Sequence, residues 1–157
     1  MNQKEITNNG KNTGIQSAKP GQPLAEGITR KKIERILVVD DDPSVRDTVQ
    51  RILKKTMCYV EVAENAEAAL LKLKEGKFDL VLSDFEMPGM KGDKLVIEVK
   101  KIYPGIKTIF ASGMFSDKHL RLQMKEATGS DLVAFKLDLV CGGLLTAIKE
   151  LEGNELQ

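Results

Sequence analysis

Phe78-Asp79-Leu80-Val81-Leu82-Ser83 is an apolar run that breaks into Asp84-Phe85-Glu86-Met87-Pro88-Gly89-Met90-Lys91-Gly92. At Asp84 the residue types change from strand-forming to turn-forming. A buried strand is thus predicted to end on a carboxylate, with a Pro/Gly-rich loop beyond it. Ile36-Leu37-Val38-Val39 behaves alike: a continuous apolar run, as in a strand buried on both faces, leading into Asp40-Asp41-Asp42. Two strands that bring acids to one edge predict a site for a metal ion and a phosphate.

Outward from these runs the pattern alternates. Asp42 can cap a helix and Pro43 suits its first turn, with Val45, Val49, Ile52 and Leu53 on one face. Tyr59 to Ala63 alternates like a strand. Asn65 caps a second helix that stops at Gly76. Gly92 to Tyr103 is a third helix, stopped by Pro104-Gly105, and Lys107 to Ala111 a fourth strand. Leu120, Met124 and Ala127 mark a fourth helix, Leu132 to Phe135 a fifth strand, and Leu144, Leu145, Ile148 and Leu151 a last helix. Gly142-Gly143 falls at the expected start of that last helix, where it either loosens the helix or permits close packing.

Strict strand–helix alternation implies a parallel sheet covered by helices on both faces. Right-handed crossovers then favour a flavodoxin-like (βα)5 doubly wound sheet of order 2-1-3-4-5. Ligands in such sheets sit beyond the carboxyl ends of the strands where the order reverses, here between strands one and three. That topology brings Asp40, Asp41 and Asp84 together across about forty residues of sequence.

The composition bounds the rest. A chain of 157 residues holds one domain with a proper core. A formal net charge of +1 argues against direct nucleic-acid binding. No apolar stretch is long enough to cross a bilayer and no secretory signal is visible, so a cytoplasmic protein without membrane insertion is expected. Cys58 and Cys141 form no disulfide or metal motif and are expected as reduced, buried thiols. Residues 1–33 are rich in polar residues, Gly and Pro without periodicity, and are expected to be a flexible tail. The domain is expected at 34–153, with 154–157 a short C-terminal tail.

Five groups fall at strand ends: Asp40 and Asp41, Asp84, Ser112 followed by Gly113, and Lys136. Clustered carboxylates repel, and a divalent cation resolves the conflict. Mg2+ takes one or two carboxylates, waters and a phosphate oxygen. Lys136 adds a point charge and Ser112 a hydroxyl. This is the equipment for phosphoryl transfer to a carboxylate, with Asp84 as nucleophile.

Val38-Val39-Asp40-Asp41, Asp84 with Met87-Pro88-Gly89-Met90-Lys91-Gly92, Ser112-Gly113 and Lys136 together resemble the response-regulator receiver domain of two-component systems, over about residues 34 to 152. The resemblance implies that Asp84 accepts a phosphoryl group from a histidine kinase or a histidine phosphotransfer protein. It implies Mg2+ held by Asp41, Asp84 and the backbone carbonyl of Glu86, with Asp40 acting directly or through water. Ser112 and Lys136 would bond the phosphoryl oxygens, and Gly113 would leave the donor a path. Such a domain is a signalling module and not an enzyme beyond its own phosphorylation and dephosphorylation. The chain ends soon after the last helix, so a stand-alone receiver is expected. Its output would pass to a downstream protein through the fourth helix, fifth strand and last helix, with a homodimer possible.

Two positions depart from the family pattern. Leu137 follows Lys136 where the family usually has proline, often after a cis bond, so a trans or strained bond and a shifted Lys136 are expected. Val133 stands where the family often has an aromatic switch residue, which puts the usual coupling in doubt; Phe135 is expected in the core. Glu86 adds an acid beside the acceptor. His119, the single histidine, is expected on a helix surface.

Two alternatives remain open on sequence. Asp40-Asp41-Asp42-Pro43-Ser44 also fits the Asp-x-Asp-x-Thr/Ser pattern of haloacid-dehalogenase-like phosphatases, with Asp40 as nucleophile and Asp42 as general acid. A pseudo-receiver would instead scaffold partners without phosphorylation.

Overall fold

The computed structural model describes residues 32–153. The expected tails lie outside the described residues, except for two residues assigned to the tail by sequence: Lys32, which is exposed, and Ile33, which is 2% exposed and packs in the core.

Five strands form one parallel sheet: β1 (Arg35–Val39), β2 (Tyr59–Ala63), β3 (Leu80–Asp84), β4 (Lys107–Ser112) and β5 (Leu132–Phe135), in the order β2-β1-β3-β4-β5. This is the predicted flavodoxin-like order. β3 and β4 each run one residue further than the sequence predicts, so Asp84 and Ser112 are strand residues.

Strand side chains alternate between the two faces, which divides the core. Ile36 and Val38 face one way and pack beneath α1 (Pro43–Leu53) and α6 (Leu144–Leu151). Leu37 and Val39 face the other way, beneath α2 (Ala66–Glu75) and α3 (Gly92–Ile102). Each such fully buried aliphatic side chain contributes about 1.5–3 kcal/mol. A smaller cluster under α4 (Lys118–Thr128) joins Val96, Phe110, Phe115 and Val133.

The helix starts follow their capping residues. Asp42 accepts from the Ser44 amide at 2.8 Å, Asn65 from the Ala68 amide at 2.8 Å, and Asp117 from the Leu120 amide at 2.8 Å. The end of the domain departs from prediction. Lys136 opens a single helical turn, α5 (Lys136–Asp138), directly from β5. A wide π-type turn, Leu139–Gly143, then leads into α6. Gly142-Gly143 thus lies before the last helix rather than within it.

Three minor expectations are corrected or met. Cys141 is exposed and Cys58 half-buried, because Cys141 sits on the turn rather than on a packed helix face. Phe135 is half-buried and belongs to no buried cluster, since it ends an edge strand. His119 is exposed on α4, as predicted.

Candidate functional site

Register places the acids. Val39 pairs with Ser83, so Asp40 is level with Asp84. Asp84 pairs with Ala111, so Ser112 stands one step beyond it, and Ser112 pairs with Phe135, so Lys136 follows one step further. Carboxylate oxygens of Asp40, Asp41 and Asp84 lie within 4.8 Å of one another. Asp40 and Asp84 are buried while Asp41 is exposed, so the cluster opens to solvent on one side.

Lys136 bridges the two buried acids. Its Nζ lies 2.7 Å from Asp40 Oδ2 and 3.1 Å from Asp84 Oδ1. Burial pushes the Asp84 carboxyl above its ordinary value, against the Lys136 hydrogen bond and charge, while Asp40 pushes it further up. Burial also works against the Lys136 charge, but its bonds to Asp40 and Asp84 outweigh that and hold the ammonium in its charged form. A carboxylate in this setting has an oxygen nucleophile and a cation beside it.

The two buried acids are fixed from behind. Asp40 Oδ1 accepts from the Asp42 amide at 3.0 Å, and Arg46 on α1 donates through Nη1 to the Asp40 carbonyl at 2.6 Å. The buried Ser83 hydroxyl donates to the Asp84 carbonyl at 2.9 Å. Ser112 is fully buried, and its Oγ accepts from the Met114 amide at 3.0 Å. Gly113 is exposed and a side chain there would meet nothing within 4 Å, which leaves the approach past it open.

The remaining predicted residues spread around this centre. Glu86 is exposed, two residues beyond Asp84. Leu137 is 56% exposed, and the described residues contain no cis peptide, so Lys136-Leu137 is trans as the sequence led us to expect. Val133 is buried against Phe110 and Phe115. Asp42 is committed to capping α1, where the Ser44 hydroxyl and amide hold its carboxyl below the usual value.

Three supporting residues escaped the sequence reading. Arg46 and Ser83 left no signal, because each acts through a backbone carbonyl brought close by folding. Gly92 did stand in the quoted motif. A Cβ there would lie 1.9 Å from the Asp84 carbonyl oxygen, a contact no side chain could make. The aromatic triad of Phe85, Phe110 and Phe115, with ring centroids 5.4–5.5 Å apart, was also unforeseen.

A parallel sheet of this order with a cation-bridged acidic cluster at its switch point defines a receiver-type signalling domain. The family of response regulator receiver domains matches residues 36–138, and the chain belongs to it. A two-component response regulator of Arabidopsis thaliana is 42% identical over 80 residues, which cover 50% of this chain and 21% of that protein. The response regulator receiver protein CpdR of Brucella abortus is 33% identical over 81 residues, covering 52% of this chain and 68% of CpdR. The chain spans less than half the length of several curated relatives it matches.

Among solved structures, the response regulator TrrA of Thermotoga maritima in complex with Mg2+–BeF is 32% identical, with a TM-score of 0.65 over 76% of this chain and 99% of that one. A CheY-like receiver domain protein of Methanospirillum hungatei is 28% identical, with a TM-score of 0.63 over 79% and 100%. The family is a signalling module rather than an enzyme class, and the phosphatase alternative is not favoured. Receiver domains interact with histidine kinases and downstream effectors. No helix among the described residues is long and apolar enough to cross a membrane.

Proposed function

We propose that this chain accepts a phosphoryl group on Asp84 from a phosphohistidine, with Mg2+ at the acidic cluster, and signals by contact with a second protein. The observation that carries this is the cluster itself: three carboxylates within 4.8 Å, two of them bridged by Lys136.

The donor set fits Mg2+. The ligands are hard oxygens, and one carboxylate, Asp41, is exposed to water. Asp41 and Asp84 would hold the ion, with the Glu86 backbone carbonyl and with Asp40 directly or through water. When bound, the ion supplies charge neutralisation for the transferring oxygens.

The chain's own residues do the rest. An Asp84 carboxylate oxygen attacks phosphorus; the P–O bond forms as the P–N bond to the donor histidine breaks. The imidazole keeps the electron pair and takes up a proton. Lys136 offers its ammonium to one phosphoryl oxygen and Ser112 its hydroxyl to another. Gly113 keeps the path open for the donor. Ser83 and Gly92 clamp the Asp84 backbone, so the nucleophile does not swing. Hydrolysis by water later returns the carboxylate, and the exposed acid Glu86 tunes how long the phosphoryl group lasts.

A small-molecule phosphodonor tests this. Incubation with acetyl phosphate should add one phosphoryl group in the presence of Mg2+, released by hydroxylamine, and little when the ion is chelated. Absence of uptake under both conditions would support the pseudo-receiver reading.

A further inference from the structure

The segment between Lys136 and α6 carries two adjacent glycines that the acceptor chemistry does not use. Gly142 has φ 123° and ψ −8°, a conformation strained for any side chain. Gly143 needs to be small for a different reason: a Cβ there would lie 2.8 Å from the Asp138 carbonyl oxygen. The turn they close is wide, with the Leu144 amide reaching back to the Leu139 carbonyl. Such π-type turns concentrate where a helix serves function.

The two ends of this segment are held differently. At one end Lys136 is bound to two carboxylates, Asp40 and Asp84. At the other end Leu144 is fully buried and anchors α6 to the core. Between them Leu137, Asp138 and Cys141 are exposed. Behind the acids lies a cavity of about 20 Å3, bordered by Asp40, Asp84, Lys136, Leu139 and Val140. A close-packed interior resists displacement. That space holds about one water, so the cation and the inner face of the turn are less tightly packed than the surrounding core.

We propose that Lys136–Gly143 is a hinge: a change of charge at Asp84 repositions Lys136, and the Gly142-Gly143 joint lets the turn move while α6 stays docked. The inference rests on the acceptor reading for its physiological trigger. Phosphorylation converts one Asp84 oxygen to the bridging oxygen of an acyl phosphate and places the new charge further out along the side chain. Lys136 then redistributes between Asp40 and the phosphoryl group, and its motion is delivered to the exposed surface of the turn.

Cys141 reports on this turn directly. In the full chain carrying Cys58→Ser, the rate of Cys141 modification by a thiol reagent is measured alone, with Mg2+ plus beryllium fluoride as a phosphoryl analogue, and in the Asp84→Asn background. Phosphoryl uptake from acetyl phosphate is followed in parallel by intact mass. The hinge predicts a several-fold change in Cys141 reactivity both with the analogue and with Asp84→Asn. Gly142→Ala and Gly143→Ala, each checked for folding by circular dichroism, should blunt the response while uptake persists. A Cys141 rate unchanged by Asp84→Asn, and unchanged in chains that take up phosphate, overturns the hinge. A rate changed by Asp84→Asn in a chain that takes up no phosphate upholds the hinge and overturns the acceptor reading instead.

Discussion

Gly92 and Asp84 are locked together: the Gly92 Cα packs so close to the Asp84 carbonyl that a Cβ would fall 1.9 Å from its oxygen. The first residue of α3 and the last of β3 therefore set each other's position, helped by the Gly92 amide, which donates to the Phe85 carbonyl at 3.1 Å. Gly92→Ala must push the helix from the strand. It should destabilise the fold by at least about 1–3 kcal/mol and slow phosphoryl uptake, as read by urea denaturation and intact mass. A variant with wild-type stability and uptake would show that the contact relaxes freely.

On the proposed reading, Lys136 would share the Asp40 and Asp84 carboxylates with the metal ion. Its removal in Lys136→Ala leaves Asp40 and Asp84 without their neutralising partner. Charges about 4 Å apart interact by about 1–4 kcal/mol at effective dielectrics of water to protein surface. Mg2+ should therefore bind on the order of tenfold tighter in the variant, measured by calorimetry, while phosphoryl uptake falls. Equal affinity in both proteins would mean that Lys136 leaves the acids whenever the ion arrives.

Asp131 gives the fold a pH signature away from the site. Burial works against its charge, but Lys100, the Thr108 amide and Lys107 outweigh this and hold its carboxyl below the ordinary 3.8. A depressed folded pKa means stabilisation that is present above the unfolded value and lost as pH falls through the folded one. Asp131→Asn should cost about 1.5–3 kcal/mol near pH 7. The gap between the two proteins should narrow as pH falls through the lowered folded value of Asp131, which paired urea titrations would show. A gap independent of pH would assign the loss to packing.

Glu86 is exposed two residues beyond Asp84, and on the proposed reading its charge would act on water and anions that approach the acceptor. Glu86→Asn should change the half-life of the phosphorylated form with little effect on stability, since exposed substitutions fall within about 0.5 kcal/mol. An unchanged dephosphorylation rate leaves Glu86 without a role.

Much of this was legible in the residues. The apolar runs at Ile36–Val39 and Phe78–Ser83 marked central strands, the second beginning two residues later in the fold, and Asp42-Pro43 marked a helix start, because these signals are local. The meeting of Asp40, Asp41 and Asp84 followed from strand order, while Lys136 was expected among them from its charge at the end of the fifth strand and from the family resemblance. What stayed hidden depended on contacts between distant backbones. Arg46 and Ser83 bond to carbonyls, which sequence does not label. Gly142-Gly143 supported either a loose helix start or close packing, and the fold makes it a turn that requires both a positive φ and a missing side chain. Phe85, Phe110 and Phe115 come from three segments, so no periodicity could join them.

The most direct test of the account is the site of phosphorylation. Wild type, Asp84→Asn and Asp40→Asn are treated with acetyl phosphate and Mg2+, and the modified residue is located by borohydride trapping and peptide mass. The account predicts label on Asp84 in the wild type and none in Asp84→Asn. Label that persists in Asp84→Asn but disappears in Asp40→Asn would contradict it.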